Sequence, residues 1–131
     1  PVRAFSLGLF LYTTNMISSE YRFHGQNGLR FVYRKGESIR TKYCAAKYIV
    51  NSRSETYRVS VVVSKKVAKS APIRNRIRRR LYEQVRIFAP KYLKNHDVVI
   101  TVFDQELAIM PSVQIEQLVQ RILKTIGSTT R

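Results

Sequence analysis

The sequence predicts an α+β sandwich, a small sheet with helices covering one or both of its faces. Three observations carry that prediction. A run rich in β-branched residues, "YRVSVVVS" at 57–64, has the composition of a strand. Two long stretches, near 70–90 and 110–126, repeat apolar residues at helical spacing. A second β-rich run, "HDVVITVF" at 96–103, lies between them. With a short helix and another strand upstream, the order is helix, two strands, helix, strand, helix. The chain has 131 residues, enough for one domain with a single core of moderate size.

From Gln26 to Arg34 a short helix is expected, because Leu29, Val32 and Tyr33 fall at i, i+3 and i+4. Gly36 supplies its C-terminal stop. "YCAAKYIV" at 43–50 reads as a strand, and "NSRSE" at 51–55 has turn chemistry. In the strand at 57–64, Val59, Val61 and Val63 share one face; Arg58, Ser60, Val62 and Ser64 share the other. These two strands are expected to pair as a hairpin. Ser70 is an N-cap candidate, Pro72 suits a first helical turn, and Pro90 marks the expected end of the helix. Between them Ile73, Ile77, Leu81, Val85 and Phe88 form one apolar face, with Asn75, Arg79, Tyr82 and Arg86 opposite. Arg76 and Arg80 flank that face on one edge, Arg74 and Arg78 on the other. The strand at 96–103 is apolar on both faces, which places it centrally in the sheet. The last helix, 110–126, is lined by Ile115, Leu118, Val119, Ile122 and Ile126.

The charge is what sets the chain apart. Lys and Arg number 24 against 8 Asp and Glu, a net charge of +16. An excess of this size in so small a domain points to a polyanionic partner, nucleic acid first and an anionic membrane second, with a purely solubilising halo as the bland alternative. The charge is clustered: five of the seven residues from 74 to 80 are arginine. Like charges on adjacent helical turns cost roughly 0.2–0.5 kcal/mol per i,i+4 pair. Glu83 alone offsets them locally. A guanidinium presents a planar fork of donors that fits phosphate oxygens and stacks on bases. Lys65, Lys66 and Lys69 extend the cluster into the preceding loop. Asn75 is either a neutral surface amide or an oxygen that accepts a hydrogen bond where arginines only donate. Eight tyrosines and six phenylalanines add stacking capacity, although at least half of Phe31, Tyr33, Tyr43 and Tyr48 should belong to the core.

The same reading excludes several classes. His24, His96 and Cys44 make no zinc spacing, and no glycine-rich phosphate loop is present. "DQE" at 104–106 lacks the lysine that usually accompanies nuclease carboxylates and reads as a loop. No catalytic or metal-ligating residue is therefore assigned. One cysteine permits no intrachain disulfide and fits a reducing, cytoplasmic setting. No apolar run approaches the roughly 20 residues of a membrane span. The apolar run from Ala4 to Tyr12 echoes a signal peptide, but its basic region is thin and no small-x-small cleavage site follows. Residues 1–15 are expected to lie outside the domain, as an extension or a misplaced start, with the domain at 16–131.

The stretch "VSVVVSKKVAKSAPIRNRIRRRLYEQVR" resembles the signature of the bacterial ribonuclease P protein component: Lys65-Lys66 closing a strand, then Arg74-Asn75-Arg76-Ile77-Arg78-Arg79 opening a helix. The likeness extends over about 16–126, including "MISSEYRFHGQNGLRFVYRKGESIRTKY". It implies a two-layer, ribosomal-protein-like α-β sandwich, with three helices, a small mixed sheet and a left-handed β-α-β crossover, against the usual hand. It implies a monomeric protein subunit of a ribonucleoprotein endonuclease that removes the 5′ leader of precursor tRNA. Chemistry would be carried by the RNA subunit with magnesium, and the protein would bind no cofactor. Lys65, Lys66, Lys69, Arg74, Asn75, Arg76, Arg78, Arg79, Arg80 and Arg86 would grip the catalytic RNA. A cleft including Leu29, Tyr33, Ala45 and Lys47 would hold the single-stranded leader. The chain departs from the family's pattern at Leu29, often Phe, and at Tyr82, often a further arginine. The competing reading is a non-enzymatic RNA-binding protein of related fold. A membrane-binding amphipathic helix ranks last, since the apolar stripe is broad enough to be core.

Overall fold

The computed structural model describes Tyr21 and residues 26–129; the expected extension at 1–15 and His24 lie outside the described residues. In chain order it has α1 (Gln26–Lys35), β1 (Glu37–Arg40), β2 (Cys44–Val50), β3 (Arg58–Val62), α2 (Ala71–Tyr92), β4 (His96–Val102), a 3-10 turn (Gln105–Ala108) and α3 (Ser112–Thr129). The four strands form one mixed sheet in the order β1-β2-β4-β3. β1, β2 and β4 pair antiparallel, and β3 lies parallel to β4. β3, α2 and β4 thus make the β-α-β unit, and β4 is central as its two apolar faces required.

The expected hairpin between β2 and β3 does not form, because β4 lies between them. The buried carboxylate of Asp97 in β4 shows why this order holds. It accepts Arg58 Nε and Nη2 from β3, at 2.9 and 2.8 Å, and Asn51 Nδ2 from the end of β2, at 3.0 Å. A buried charge must be paired and hydrogen-bonded, and here the donors come from the strands on both sides. β1 is absent from the sequence reading: "ESIR" has no apolar alternation and forms through its pairing with β2, with Ile39 opposite Ala46.

The two faces of the sheet are covered unequally. Cys44, Ala46, Tyr48, Val59, Val61, Val98, Ile100 and Val102 point into the main core with α2 and α3. The other face carries a small cluster in which Val32 of α1 meets Val99, flanked by Leu29, Ile49 and Val62. Among the described residues, α1 alone packs on that second face. Gly36 ends α1 with its N–H on Val32 O at 2.8 Å; a Cβ there would sit 2.6 Å from that oxygen and 2.8 Å from Tyr48 O, so only glycine fits.

Two local expectations for α2 are corrected, and the N-cap holds in position. The helix does not end at Pro90 but runs to Tyr92, closed by Leu93 N–H on Ala89 O at 2.7 Å. Pro90 and Arg86, whose carbonyl the proline cannot bond, are both exposed, so water replaces the missing bond. Ser70 holds the N-cap position without a side-chain cap bond. Tyr82 does not join the exposed side: it is buried, and its hydroxyl accepts the Val61 N–H at 3.0 Å. β3 is an edge strand with one row of amides lacking a sheet partner, and Tyr82 covers one of them.

Candidate nucleic-acid interface

The cationic cluster begins where β3 ends. Val67 N–H and Ala68 N–H both bond Ser64 O, so Lys65 and Lys66 sit on a tight turn between β3 and α2. Both lysines and Lys69 are exposed. Arg74 then reaches back one turn, and its Nη1 donates to Ala68 O and Lys69 O, each at 2.9 Å. The lysine turn is thereby fastened to the helix start.

Arg76 and Arg80 do similar work on the other edge. Arg76 Nε donates to Ala108 O; Arg80 Nη1 donates to Leu107 O at 2.7 Å and its Nη2 to Met110 O. A short 3-10 turn leaves carbonyls without internal partners, and these two guanidinium groups supply them. Burial, then the neighbouring Arg76 charge, lower the pKa of Arg80 from its ordinary value. It stays charged, as an arginine does in a folded protein.

Other polar groups of the helix bond within it. Asn75 Oδ1 accepts from Arg78 Nη2, which is the acceptor role its odd place among arginines allowed. Arg86 pairs with Glu83 across one turn, which raises the Arg86 pKa. Asn75 and Arg86 are exposed; Arg78 and Arg79 are half-buried. The arginine helix therefore carries a clamping set (Arg74, Arg76, Arg80) and an outward set (Asn75, Arg78, Arg86), with Arg79 half-buried.

The second surface lies across the sheet. Tyr33 is exposed on α1, and its hydroxyl is 2.9 Å from Thr101 Oγ1 in β4. Lys47 Nζ donates to Tyr33 O at 2.9 Å, occupying one of the last carbonyls of α1. Ala45 pairs with Thr101 across β2 and β4, and with Arg40 across β1 and β2. The Arg40 guanidinium stands 4.6 Å from the Phe103 ring centroid. Leu29 is half-buried against the small cluster on this face. The structure brings Leu29, Tyr33, Ala45 and Lys47 to one face, lined by an aromatic, a small residue and cations.

A family model for ribonuclease P matches residues 17–127. The chain belongs to the ribonuclease P protein family. It is 32% identical to the ribonuclease P protein component of Pseudanabaena sp. over 66% of this chain and 75% of that one. It is 35% identical to that of Alkaliphilus metalliredigens, over 63% of this chain and 73% of the relative. The fold matches the RNase P protein of Staphylococcus aureus with a TM-score of 0.71 at 24% identity, covering 81% of this chain and 94% of that one. The Thermotoga maritima RNase P protein gives 0.71 at 20% identity, over 79% and 96%. Both have the α+β architecture described above.

The structure adds Arg40, Thr101 and Phe103 to the face that carries Tyr33, Ala45 and Lys47. Strand alternation on "HDVVITVF" sets Thr101 opposite Ile100 and Val102 and was the available signal; nothing in "ESIR" marked Arg40. Cys44 is buried core, its thiol pKa pushed up by burial against the opposing effect of the Thr41 hydrogen bond, so it is no nucleophile. No helix among the described residues is long and apolar enough to cross a membrane.

Proposed function

We propose that this chain is the protein subunit of ribonuclease P. It binds the catalytic RNA through the outward residues of α2 and the lysine turn, and it holds the 5′ leader of precursor tRNA in the concavity beneath α1. In doing so it assists endonucleolytic removal of that leader. The observation that carries the reading is the placement of the family signature. Lys65-Lys66 leaves a strand end and Arg74-Asn75-Arg76 opens the helix, inside the span that matches the family.

The two surfaces lie on opposite faces of the sheet but share an end. Val62, the last residue of β3, pairs with Thr101, which pairs with Ala45. Lys65 and Lys66 follow within four residues, so the lysine turn bridges the concavity and α2. A leader emerging from the RNA-bound side would enter the concavity there, passing cations before reaching Tyr33. Phosphate contacts fix position and orientation, while an aromatic ring holds a base without demanding a particular sequence.

Chemistry in this proposal belongs to the RNA, with magnesium held by its phosphates. The described residues include no group of three or more His, Cys, Asp or Glu suited to a metal ion, and no step is assigned to a protein-bound metal. The protein acts as a monomer in the ribonucleoprotein, in the cytoplasm. The test is reconstitution with a bacterial ribonuclease P RNA and precursor tRNA at low magnesium. Release of the leader at a rate neither component reaches alone supports the proposal. Tight RNA binding without stimulation supports instead a non-enzymatic RNA-binding protein.

A further inference from the structure

The open face of the sheet continues beyond the Tyr33 concavity into a second hollow. It is a groove of about 470 Å³ whose lining includes Gly28, Phe31, Ile49, Arg53, Arg58 and Asp97. Phe31 is 47% exposed although it is a large apolar side chain on a helix that packs on the sheet. The ring lines the hollow, where its face is available for stacking.

The hollow is built rather than incidental. Its floor is the Arg58–Asp97 pair, two parallel N–H···O bonds at 2.9 and 2.8 Å, with Asn51 Nδ2 also on Asp97. Hydrogen bonding to Asp97 raises the Arg58 pKa, so the floor stays a planar ion pair. Its rim is the 51–54 turn, held by Arg53 N–H on Asn51 Oδ1 at 3.0 Å and Ser54 N–H on Asn51 O at 3.0 Å. That turn presents the exposed Arg53. The neutralised floor accommodates a flat polar ring, Phe31 offers a stacking face, and Arg53 offers a phosphate partner. Together these fit one unpaired nucleotide.

The register gives its place along the leader. Ile49 pairs with Asp97 and Asp97 with Arg58, one end of the face; Ala45, Thr101 and Val62 form the other end, next to the lysine turn. Four residues of strand separate the two rows, about 13 Å. We infer that the Phe31 hollow is a second nucleotide subsite for the leader, farther from the cleavage site than the Tyr33 concavity and filled only by longer leaders. This rests on the leader-binding reading above and extends it.

The test uses the reconstituted holoenzyme and a series of precursor tRNAs whose leaders lengthen one nucleotide at a time. Affinity is measured for the wild type, Phe31→Ala, Phe31→Tyr and Tyr33→Ala. Loss of a base-stacking ring is expected to weaken binding roughly five- to a hundredfold. For Phe31→Ala this loss should begin a few nucleotides later in the series than for Tyr33→Ala. Phe31→Tyr should bind as the wild type, and Phe31→Ala should match the wild type on the shortest leaders, which shows that the holoenzyme is intact. A Phe31→Ala loss that is absent, or equal at every leader length, overturns the second subsite. If Tyr33→Ala still depends on leader length, the first concavity survives that result. If wild-type affinity does not respond to leader length at all, both fall.

Discussion

Arg80 separates holding the fold from holding RNA. Its guanidinium donates to Leu107 O and Met110 O, two backbone carbonyls of buried residues. Hydrogen bonds from a charged donor contribute about 1.5–3 kcal/mol each, and unpaired buried carbonyls cost about 1–3 kcal/mol. Arg80 is only half-buried, so water replaces part of what is lost, and Arg80→Ala should cost about 2–3 kcal/mol in all. For a domain of this size that is a fall in Tm of about 8–15 °C. The second readout is the salt dependence of binding to the catalytic RNA, where each phosphate contact adds about 0.7–0.9 to the slope of log K against log salt. Arg80→Ala should leave that slope unchanged once measured below the lowered Tm. Lys66→Ala, on the exposed lysine turn, should do the reverse, dropping the slope by about 0.7–0.9 with Tm nearly unmoved. Calorimetry and filter binding across a salt series on the two variants make the comparison. An Arg80→Ala protein with wild-type Tm and a reduced slope would refute the clamp and return Arg80 to the RNA-contacting set.

Three further outcomes are expected. Tyr82→Phe strips the Val61 N–H of its acceptor in a buried setting and should lower stability by about 1–3 kcal/mol, read from the urea midpoint; an unchanged midpoint would mean water reaches that edge of β3. His96 is buried, which lowers its pKa against the smaller, opposing effect of Asp97, and its Nδ1 accepts the Lys94 N–H at 3.1 Å. The unfolded chain therefore takes up the proton first as pH falls. The stability tied to neutral His96 is complete above the unfolded value of about 6.5 and is lost as pH drops through the lower folded value. His96→Asn, which keeps an acceptor but does not titrate, should flatten the urea midpoint between about pH 5 and 7; an equally steep pH dependence would assign it to other groups. Tyr33→Ala should slow processing of precursor tRNA with long leaders more than with very short ones, and equal loss on both would remove Tyr33 from the leader path.

Much of the cationic cluster was legible in one dimension because its residues are neighbours along the chain. Strand, lysine pair, seven residues and arginine helix follow one another directly, and the apolar repeat Ile77-Leu81-Val85 fixed which way the helix faces. What did not follow was the division of labour among the arginines. Arg76 and Arg78 look alike in sequence, but Arg78 bonds Asn75 within the helix whereas Arg76 reaches Ala108, some thirty residues away, and no periodicity carries that information. Tyr82 was misplaced for a related reason. An ideal helical wheel put it with the charges, whereas the edge of β3 offered its hydroxyl a buried donor.

The sequence by itself determined the class of this protein: an α+β domain with an arginine-rich helix following a β-branched strand, carrying a large positive charge and the signature of one family. Those are properties of neighbours along the chain, set by periodicity, composition and spacing. The tertiary structure decided that β4 inserts between β2 and β3, which arginines clamp loops and which face outward, and that α1 leaves part of the sheet open. Each of these depends on groups far apart in sequence. Asp97 with Arg58 and Asn51, Arg80 with Met110, and Tyr33 with Thr101 meet only once the strands are in order, because a buried charge, carbonyl or hydroxyl takes whichever partner the assembled fold brings within bonding distance.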